Sequence, residues 1–443
     1  MKFIALFVVI TVCSVNLLAQ IAIPPSMGSG SEENPYQISS LGQLYWIASD
    51  NSNLGYNYAQ TQNIDATSSA SWFPDGIGGF GGWRPIGLYV GNTNPANAPF
   101  TGKYNGNGYV IDGIYTNRSD ASGIGLFGFT YGAEITNLSV INVNIFGDFD
   151  FTGGLVGYNN TTPISNCFSS GTVTGSYHCG GLIGINLNSG INNCFSNASV
   201  SGHIYSGGLI GNNRLSNINN CYSRGDVTRT EQDSEIPKFG GLVGSNYQSA
   251  IEHCYSTGSV YYEEFADPTD QGFIGSNENG TYISNYFDSE ASNQDSSIGA
   301  TPQTTAQMKT LNTFVGWDFI DTWQFVDNVN DGYPSLQSAN QVASEDDIAP
   351  ATVALCMMAY PNPFMCNTTV SYKLSQSAQT ELNIYNIRGQ LVRKLVNEPL
   401  SSGQHTVTWD GKDDNGKPLA SGMYLCRIIS AGKQETHKML LMK

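Results

Sequence analysis

Residues 153–157 read GGLVG, and this stretch decides the fold because the chain repeats it. Close copies follow as GGLIG at 180–184 and 207–211, as GGLVG at 240–244 and, more diverged, as QGFIG at 271–275. A shorter form, GLFG at 125–128, precedes them. A period of about 27 residues indicates a repeat architecture, in which each unit buries its apolar residues only against its neighbours.

The copies share residue types at fixed distances from their second glycine. Five residues after it stands an asparagine, at Asn159, Asn186, Asn213, Asn246 and Asn277. Thirteen residues after it stands a cysteine, at Cys167, Cys194, Cys221 and Cys254, whereas Tyr286 takes this place in the last copy, fourteen residues on. A valine follows each cysteine by six residues, at Val173, Val200, Val227 and Val260.

These offsets predict a right-handed parallel β-helix. Stacked coils place equivalent residues one strand spacing apart, about 4.8 Å, and the handedness follows the rule for parallel crossovers. Leucine, cysteine and valine are then expected to form buried ladders, with asparagine amides hydrogen-bonded along the stack. Composition agrees, because only 12% of the residues are charged while 11% are aromatic, and disorder needs high charge and few aromatic residues. The scarcity of Lys, Glu and Ala also argues against a helical bundle.

The net charge narrows the function classes. There are 19 Lys and Arg against 36 Asp and Glu, so the formal charge is −17. A general nucleic-acid binder needs a basic surface, and this balance argues against one.

The repeated GGLVG and GGLIG strings resemble the GLUG-motif repeats of bacterial surface proteins, adhesins and some immunoglobulin-cleaving metallopeptidases. The resemblance covers roughly residues 28–337 and implies the β-helical fold. It does not carry over the peptidase activity, because none of the five histidines lies in a His-Glu-x-x-His string.

Two longer connections interrupt the regular period, in 228–239 and 261–271. Insertions in solenoids fall on one face, which is often the binding face. These two carry the acidic residues Glu231, Asp233, Glu235, Glu263, Glu264, Asp267 and Asp270. We interpret them as a candidate binding cluster; the alternatives are a solvated acidic rim, a calcium site or a paired-carboxylate glycosidase centre.

Residues 357–443 form a second domain. Strand-like runs at 368–372, 380–385, 405–409 and 423–429, with turns at 386–389 and 413–416, predict a small antiparallel β-sandwich. The strings YPNPF at 360–364, YNIRG at 385–389 and the terminal KMLLMK resemble the C-terminal sorting domain of type IX secretion, and this resemblance implies an immunoglobulin-like fold for the sandwich. The resemblance implies translocation across the outer membrane by that secretion machinery, followed by surface attachment or release.

The N-terminus is expected to be a secretory signal. Lys2 precedes an apolar run, 3–10, that is too short to span a bilayer, and a peptidase could cut after Ala19. The expected organisation is a signal peptide (1–20), a cap with the first coils (21–124), the repeats (125–300), a capping segment (301–342), a linker (343–356) and the sorting domain (357–443).

Other candidate residues carry weaker signals. The four repeat cysteines are expected to be buried ladder residues, with disulfide pairing as the alternative, and Cys179 falls outside that ladder. One bridge among Cys356, Cys366 and Cys426 stays open. Sugar stacking is a hypothesis for Tyr205, Tyr247, Tyr261 and Tyr262. The strong cations of the repeats are Arg214, Arg224, Arg229 and Lys238.

We therefore expect a secreted or cell-surface β-solenoid that acts as a non-catalytic binding or adhesion protein. No catalytic residue is assigned, no cofactor is expected unless calcium binds the acidic loops, and the ligand is an unidentified extracellular glycan or protein. A polysaccharide lyase or hydrolase is the alternative, and a structural surface-layer protein is the third interpretation.

Overall fold

A computed structural model gives the architecture. It describes residues 21–337 and 356–442, apart from 73–80, 92–93, 119–121, 149, 231–237, 263–270, 327–328, 361, 363, 366, 375–376, 402 and 432. The chain divides into two compact units, Met1–Ala349 and Pro350–Lys443.

The first unit is a parallel β-solenoid, as the repeats predict. Its coils stack on one another, so that equivalent strands of successive coils form four sheets that run along the solenoid axis. The nine-stranded sheet contains Tyr36–Ile38, Tyr58–Gln60, Lys103–Asn105, Glu134–Thr136, Ile164–Ser165, Ile191–Asn192, Ile218–Asn219, Ala250–Glu252 and Thr281–Ile283. The four-stranded sheet contains Phe151–Gly153, His178–Gly180, Tyr205–Gly207 and Lys238–Gly240. The six-stranded sheet contains Phe127–Tyr131, Val156–Asn160, Ile183–Leu187, Ile210–Arg214, Val243–Tyr247 and Ile274–Glu278.

The fourteen-stranded sheet completes the solenoid. It contains Ile64–Asp65, Gly81–Gly82, Val110–Asp112, Tyr115–Arg118, Ser139–Gly147, Phe168–Gly175, Phe195–Ser196, Ser199–Gly202, Tyr222–Ser223, Val227–Arg229, Tyr255–Ser256, Val260–Tyr262, Tyr286–Asp288 and Thr301–Gln303. The valines of the repeat lie in register here, and each is buried.

The paired glycines turn the chain from the four-stranded to the six-stranded sheet. A Cβ atom on Gly154 would lie 2.3 Å from the carbonyl oxygen of Gly181, and one on Gly181 would lie 2.2 Å from that of Gly208. Real Cβ atoms do not approach backbone this closely, so every coil needs glycine here for the next coil to stack at strand spacing.

The asparagines form a buried amide ladder at another corner. Asn159 Nδ2 donates to Asn186 Oδ1 at 2.8 Å, and the donations from Asn186 to Asn213 and from Asn213 to Asn246 measure 2.9 Å each. Asn277 lies in register with Asn246 but is exposed. The amide of Asn246 donates instead to Tyr282 Oη at 3.1 Å, so the ladder ends one coil earlier than the repeat spacing predicts.

The four repeat cysteines are buried thiols and form no disulfide. The main-chain amides of the first three donate to the sulfur of the cysteine in the next coil, each at 3.4 Å. In the last copy the position belongs to Asn285, whose Oδ1 accepts from the Cys254 amide at 2.9 Å. Tyr286, expected there, lies one residue further, in register with Tyr255.

Cys179 also belongs to a ladder, contrary to the expectation from the sequence. It is buried in the four-stranded sheet, in register with Thr152 and Ser206, and Phe239 continues the row. The row escapes detection because each coil places a different residue type at the position. Burial raises the pKa of the Cys179 thiol.

The N-terminal end of the solenoid is covered by the helix Leu41–Ser49. Ser40 caps it, because its side chain accepts from the Gln43 amide, and Leu44 and Ile47 are fully buried. Short 3₁₀ turns follow at Asn51–Asn53 and Thr67–Ser71.

The closing segment, residues 304–337, packs along the side of the coils. It contains the helix Thr305–Met308, the 3₁₀ turns Leu311–Thr313 and Asn330–Gly332, and the paired strands Trp323–Gln324 and Ser335–Leu336. It covers an outward row of stacked rings that the fourteen-stranded sheet presents, Phe168, Phe195, Tyr222, Tyr255 and Tyr286. Each ring belongs to the residue directly after the cysteine-ladder position of its coil. The fourteen-stranded sheet is therefore apolar on both of its faces here.

The second unit is immunoglobulin-like and antiparallel, as predicted. Its three-stranded sheet contains Cys356–Tyr360, Thr368–Leu374 and Gly403–Trp409. Its four-stranded sheet contains Ala378–Asn386, Leu391–Leu400, Gly422–Ser430 and Lys433–Leu441. Between them Val370, Leu382, Ile384, Trp409 and Ile428 are fully buried.

Candidate functional site

The acidic cluster inferred from the sequence lies outside the described residues. This applies to all seven carboxylates, Glu231, Asp233, Glu235, Glu263, Glu264, Asp267 and Asp270. Within the part of the chain that the structure describes, no group of three or more His, Cys, Asp or Glu side chains could hold a metal ion. The calcium hypothesis for these loops stays a prediction.

A lateral groove forms where the four-stranded and six-stranded sheets meet. It encloses about 160 Å³. Tyr205 and Lys238 line one side as partners in adjacent coils. Arg214, Tyr247 and Glu278 line the other, again as successive partners in adjacent coils. Two residues of one sheet and three of the other thus meet at one corner because the glycine turn between the two sheets is so short.

The floor of the lateral groove is polar. Asn212, Ser245 and Ser276 occupy the same position in three successive strands of the six-stranded sheet. Ser276 Oγ donates to Ser245 Oγ at 3.0 Å, and Asn212 is buried. The floor therefore offers hydroxyl and amide groups, which both donate and accept hydrogen bonds.

Both cations of the lateral groove lie over tyrosine rings. Lys238 Nζ is 4.8 Å from the ring centroid of Tyr205, and Arg214 Cζ is 4.8 Å from that of Tyr247. Cation–π contacts of this kind are worth about 0.5–1 kcal/mol at exposed sites and hold the charged ends in place. Neither cation forms an ion pair with any carboxylate among the residues described.

The two tyrosines of the lateral groove have neighbours over their ring faces. The His178 ring stacks on Tyr205 with centroids 4.8 Å apart and planes 5° apart, and Lys238 lies over the ring of Tyr205. Arg214 lies in the same way over Tyr247. These contacts follow the solenoid axis because in-register neighbours lie one strand spacing away. Both faces of Tyr205 are therefore occupied, whereas one face of Tyr247 is.

His178 supplies no charge to the lateral groove at neutral pH. It is half-buried between the rings of Phe151 and Tyr205. This burial lowers its pKa to about 4, although the imidazole also has a hydrogen bond to the Asp150 carbonyl, which acts in the opposite direction. The imidazole is therefore neutral at pH 7.

The other sequence candidates lie elsewhere. Arg224 sits beneath the closing segment, where its Nη1 donates to Asn330 Oδ1 at 2.6 Å. Arg229 is buried, with its guanidinium carbon 5.9 Å from the Phe239 ring centroid. Tyr261 pairs with Thr228 in the fourteen-stranded sheet, away from the groove. The side chain of Tyr262 is not among those described.

Sequence reasoning overlooked the groove as a site, although its signal is present. His178, Tyr205 and Lys238 each stand two residues before a paired glycine, and Arg214, Tyr247 and Glu278 each stand six residues after its second member or the equivalent glycine. These positions vary in residue type from coil to coil. A search for identical residues at fixed offsets finds ladders that hold the coils together and passes over positions that differ.

Two family models match parts of the chain. The GLUG motif matches residues 152–174 and 239–261, and the second match includes Ser245 and Tyr247 of the lateral groove. The FlgD Ig-like domain matches residues 366–433, within the second unit.

Two curated relatives are similar over the repeats. The chain is 37% identical to Halomucin of Haloquadratum walsbyi over 153 residues, which is 34% of this chain and 2% of that protein. It is 37% identical to a putative Gly-rich membrane protein of Evansella cellulosilytica over 122 residues, or 28% of this chain and 12% of that one. The chain thus matches only a small part of each relative's length.

Two solved structures from Porphyromonas gingivalis show local similarity. Dimeric latent PorU is 21% identical with a TM-score of 0.17, over 19% of this chain and 9% of that one. PorZ, titled as a surface component of the type-IX secretion system, is 19% identical with a TM-score of 0.16, over 28% of this chain and 16% of that one. Among the described residues, no helix has the length and apolar character needed to cross a bilayer.

Proposed function

We propose that this chain is a secreted or cell-surface solenoid that binds an extracellular ligand without transforming it. The observation that carries the proposal is the lateral groove, in which Arg214 and Lys238 are held in place on a rigid stack of coils. Rigid sheets position side chains accurately, so little ordering of the protein has to accompany binding.

The proposed secreted or cell-surface location has separate support. One relative is named as a membrane protein, and the second unit matches the FlgD Ig-like model. Together with the YPNPF and KMLLMK strings, this favours residues 357–443 as a sorting domain that brings the protein to the secretion machinery.

A polysaccharide-degrading enzyme is the second candidate, and one observation favours it. The lateral groove brings Lys238, Arg214 and the carboxylate of Glu278 into one corner. Cleavage of a glycan by elimination needs a base and cationic groups near the sugar acid, and these residue types could supply them.

The test is incubation of the full chain with a panel of acidic and neutral polysaccharides, with and without Ca²⁺. Retention of the protein and release of new sugar ends are measured together. We expect retention without new ends. New ends that disappear in Lys238→Ala would establish the enzyme instead, and self-assembly without any retention would favour the surface-layer interpretation.

A further inference from the structure

The cations of the lateral groove stand out against the charge of the whole chain. The protein has a net charge of −17, yet two of the three charged residues that line the groove, Arg214 and Lys238, are cations. Arg214 is exposed and Lys238 is half-buried. Neither forms an ion pair with a carboxylate of the residues that the structure describes. Charge-assisted hydrogen bonds to an anion are the strongest contacts these groups can make.

Both cations are already oriented. The ring of Tyr205 supports Lys238 and the ring of Tyr247 supports Arg214, each at 4.8 Å. Long side chains normally lose rotamer freedom when they bind an anion, and this support reduces that loss. The remaining donors of the guanidinium and ammonium groups are not used by any described carboxylate.

The lateral groove also contains a negatively charged side chain. Glu278 is exposed at its edge, next to Tyr247 in the adjoining coil, and as a carboxylate it only accepts hydrogen bonds. Arg214 and Lys238 only donate. A ligand that satisfies both must carry an anionic acceptor and neutral donors close together.

We infer that the lateral groove binds a carboxylate-bearing polysaccharide, with Arg214 and Lys238 on the sugar carboxylate and Glu278, Ser245 and Ser276 on its hydroxyl groups. The inference deepens the binding function proposed above and rests on it. A uronic acid presents a carboxylate and several hydroxyls on one rigid ring. An acidic side chain such as glutamate carries a carboxylate with no hydroxyl group beside it, so it would occupy the two cations and leave Glu278 without a hydroxyl donor.

The experiment measures binding of the full chain to alginate in the absence of Ca²⁺. Alginate esterified with propylene glycol serves as the neutral counterpart, and poly-glutamate represents an acidic peptide. We expect binding to alginate that weakens with added salt, weak binding to the ester and weak binding to poly-glutamate.

Variants locate the binding. Arg214→Ala and Lys238→Ala should each weaken alginate binding about ten-fold, as expected for one charge-assisted contact. Lys309→Ala is the matched control, because Lys309 also lies over a tyrosine, 4.7 Å from the Tyr333 ring centroid, but in the closing segment. Thermal melting of each variant verifies that the solenoid is intact. We expect it to be, since neither groove cation is fully buried.

The outcomes separate the inference from the proposed function. Equal loss in Lys309→Ala, or no loss in the groove variants, would overturn the inference while binding itself stands. Tighter binding to poly-glutamate than to alginate would assign the groove to a peptide. Retention of none of the panel would count against both.

Discussion

At the scale of single residues, the amide ladder holds the coils in register. Asn186 makes three hydrogen bonds: it accepts from Asn159, and it donates to Asn213 and to the Ser189 carbonyl at 3.2 Å. A second ladder runs beside it, because the Ser189 amide donates to Ser216 Oγ at 3.0 Å and the Ser216 amide to Ser249 Oγ at 2.9 Å. The serine stands three positions after its asparagine in three coils, whereas Thr162 takes this place after Asn159 and Gly280 takes it after Asn277, where the ladder ends.

Replacement of Asn186 by leucine should destabilise the protein by about 3 kcal/mol. Each lost hydrogen bond contributes about 1 kcal/mol, and the neighbouring amides become buried without their partner. Asn277→Leu is the matched control, since this exposed asparagine should change stability by less than about 0.5 kcal/mol. Urea unfolding followed by circular dichroism measures both, and equal effects would show that the ladder contributes nothing specific.

His178 should make the protein less stable as the pH falls. The unfolded histidine takes up a proton near pH 6.5, whereas the folded one, with a pKa of about 4, does not. Between these values the unfolded state binds more protons, so the free energy of unfolding decreases from pH 6.5 towards pH 4. His178→Phe retains the ring stack and should reduce this decrease in stability. The urea unfolding midpoints of both proteins at pH 7 and pH 4.5 measure the effect. An equal decrease in the two proteins would show that His178 is not its cause.

At the scale of elements, the closing segment is attached by specific contacts as well as by packing. Tyr255 Oη donates to the Pro334 carbonyl at 2.7 Å, and Trp317 Nε1 donates to the Ser284 carbonyl at 2.8 Å. Arg224 contacts both Asn330 and Asp331. The segment therefore depends on polar groups at the edge of the ring stack for its position and on the rings for its burial.

Arg224→Met should loosen the closing segment without unfolding the coils. Methionine retains part of the apolar stem but loses the contacts to Asn330 and Asp331, which lowers the cost of local opening by about 1–2 kcal/mol. Cleavage of residues 304–337 by a protease should then be roughly five- to thirty-fold faster. The control is Lys309→Met, because the exposed Lys309 side chain lies over the Tyr333 ring and forms no ion pair with any residue that the structure describes. Equal cleavage of the two variants would refute the role of Arg224.

At the scale of the whole molecule, identical residues predict the fold better than they predict the site. The paired glycines and the ladder asparagines recur because every coil faces the same steric and hydrogen-bonding demand, and their spacing alone indicates a parallel solenoid. The lateral groove consists of positions such as Tyr205 and Lys238, which share a place and differ in chemistry. Their proximity follows from the sharp glycine turn between two sheets, and repeat spacing says nothing about which neighbours such a turn brings together.

The constant period between residues 153 and 211 has an evolutionary consequence. Removal of residues 181–207 would join Gly180 to Gly208, so that Asn159 would stack on Asn213 and Cys167 on Cys221 with no break in either row. Duplication of the same segment would lengthen the protein by one coil, about 4.8 Å. Unequal recombination could thus adjust the reach of the molecule in uniform steps, while each new coil would be free to diversify its outward side chains.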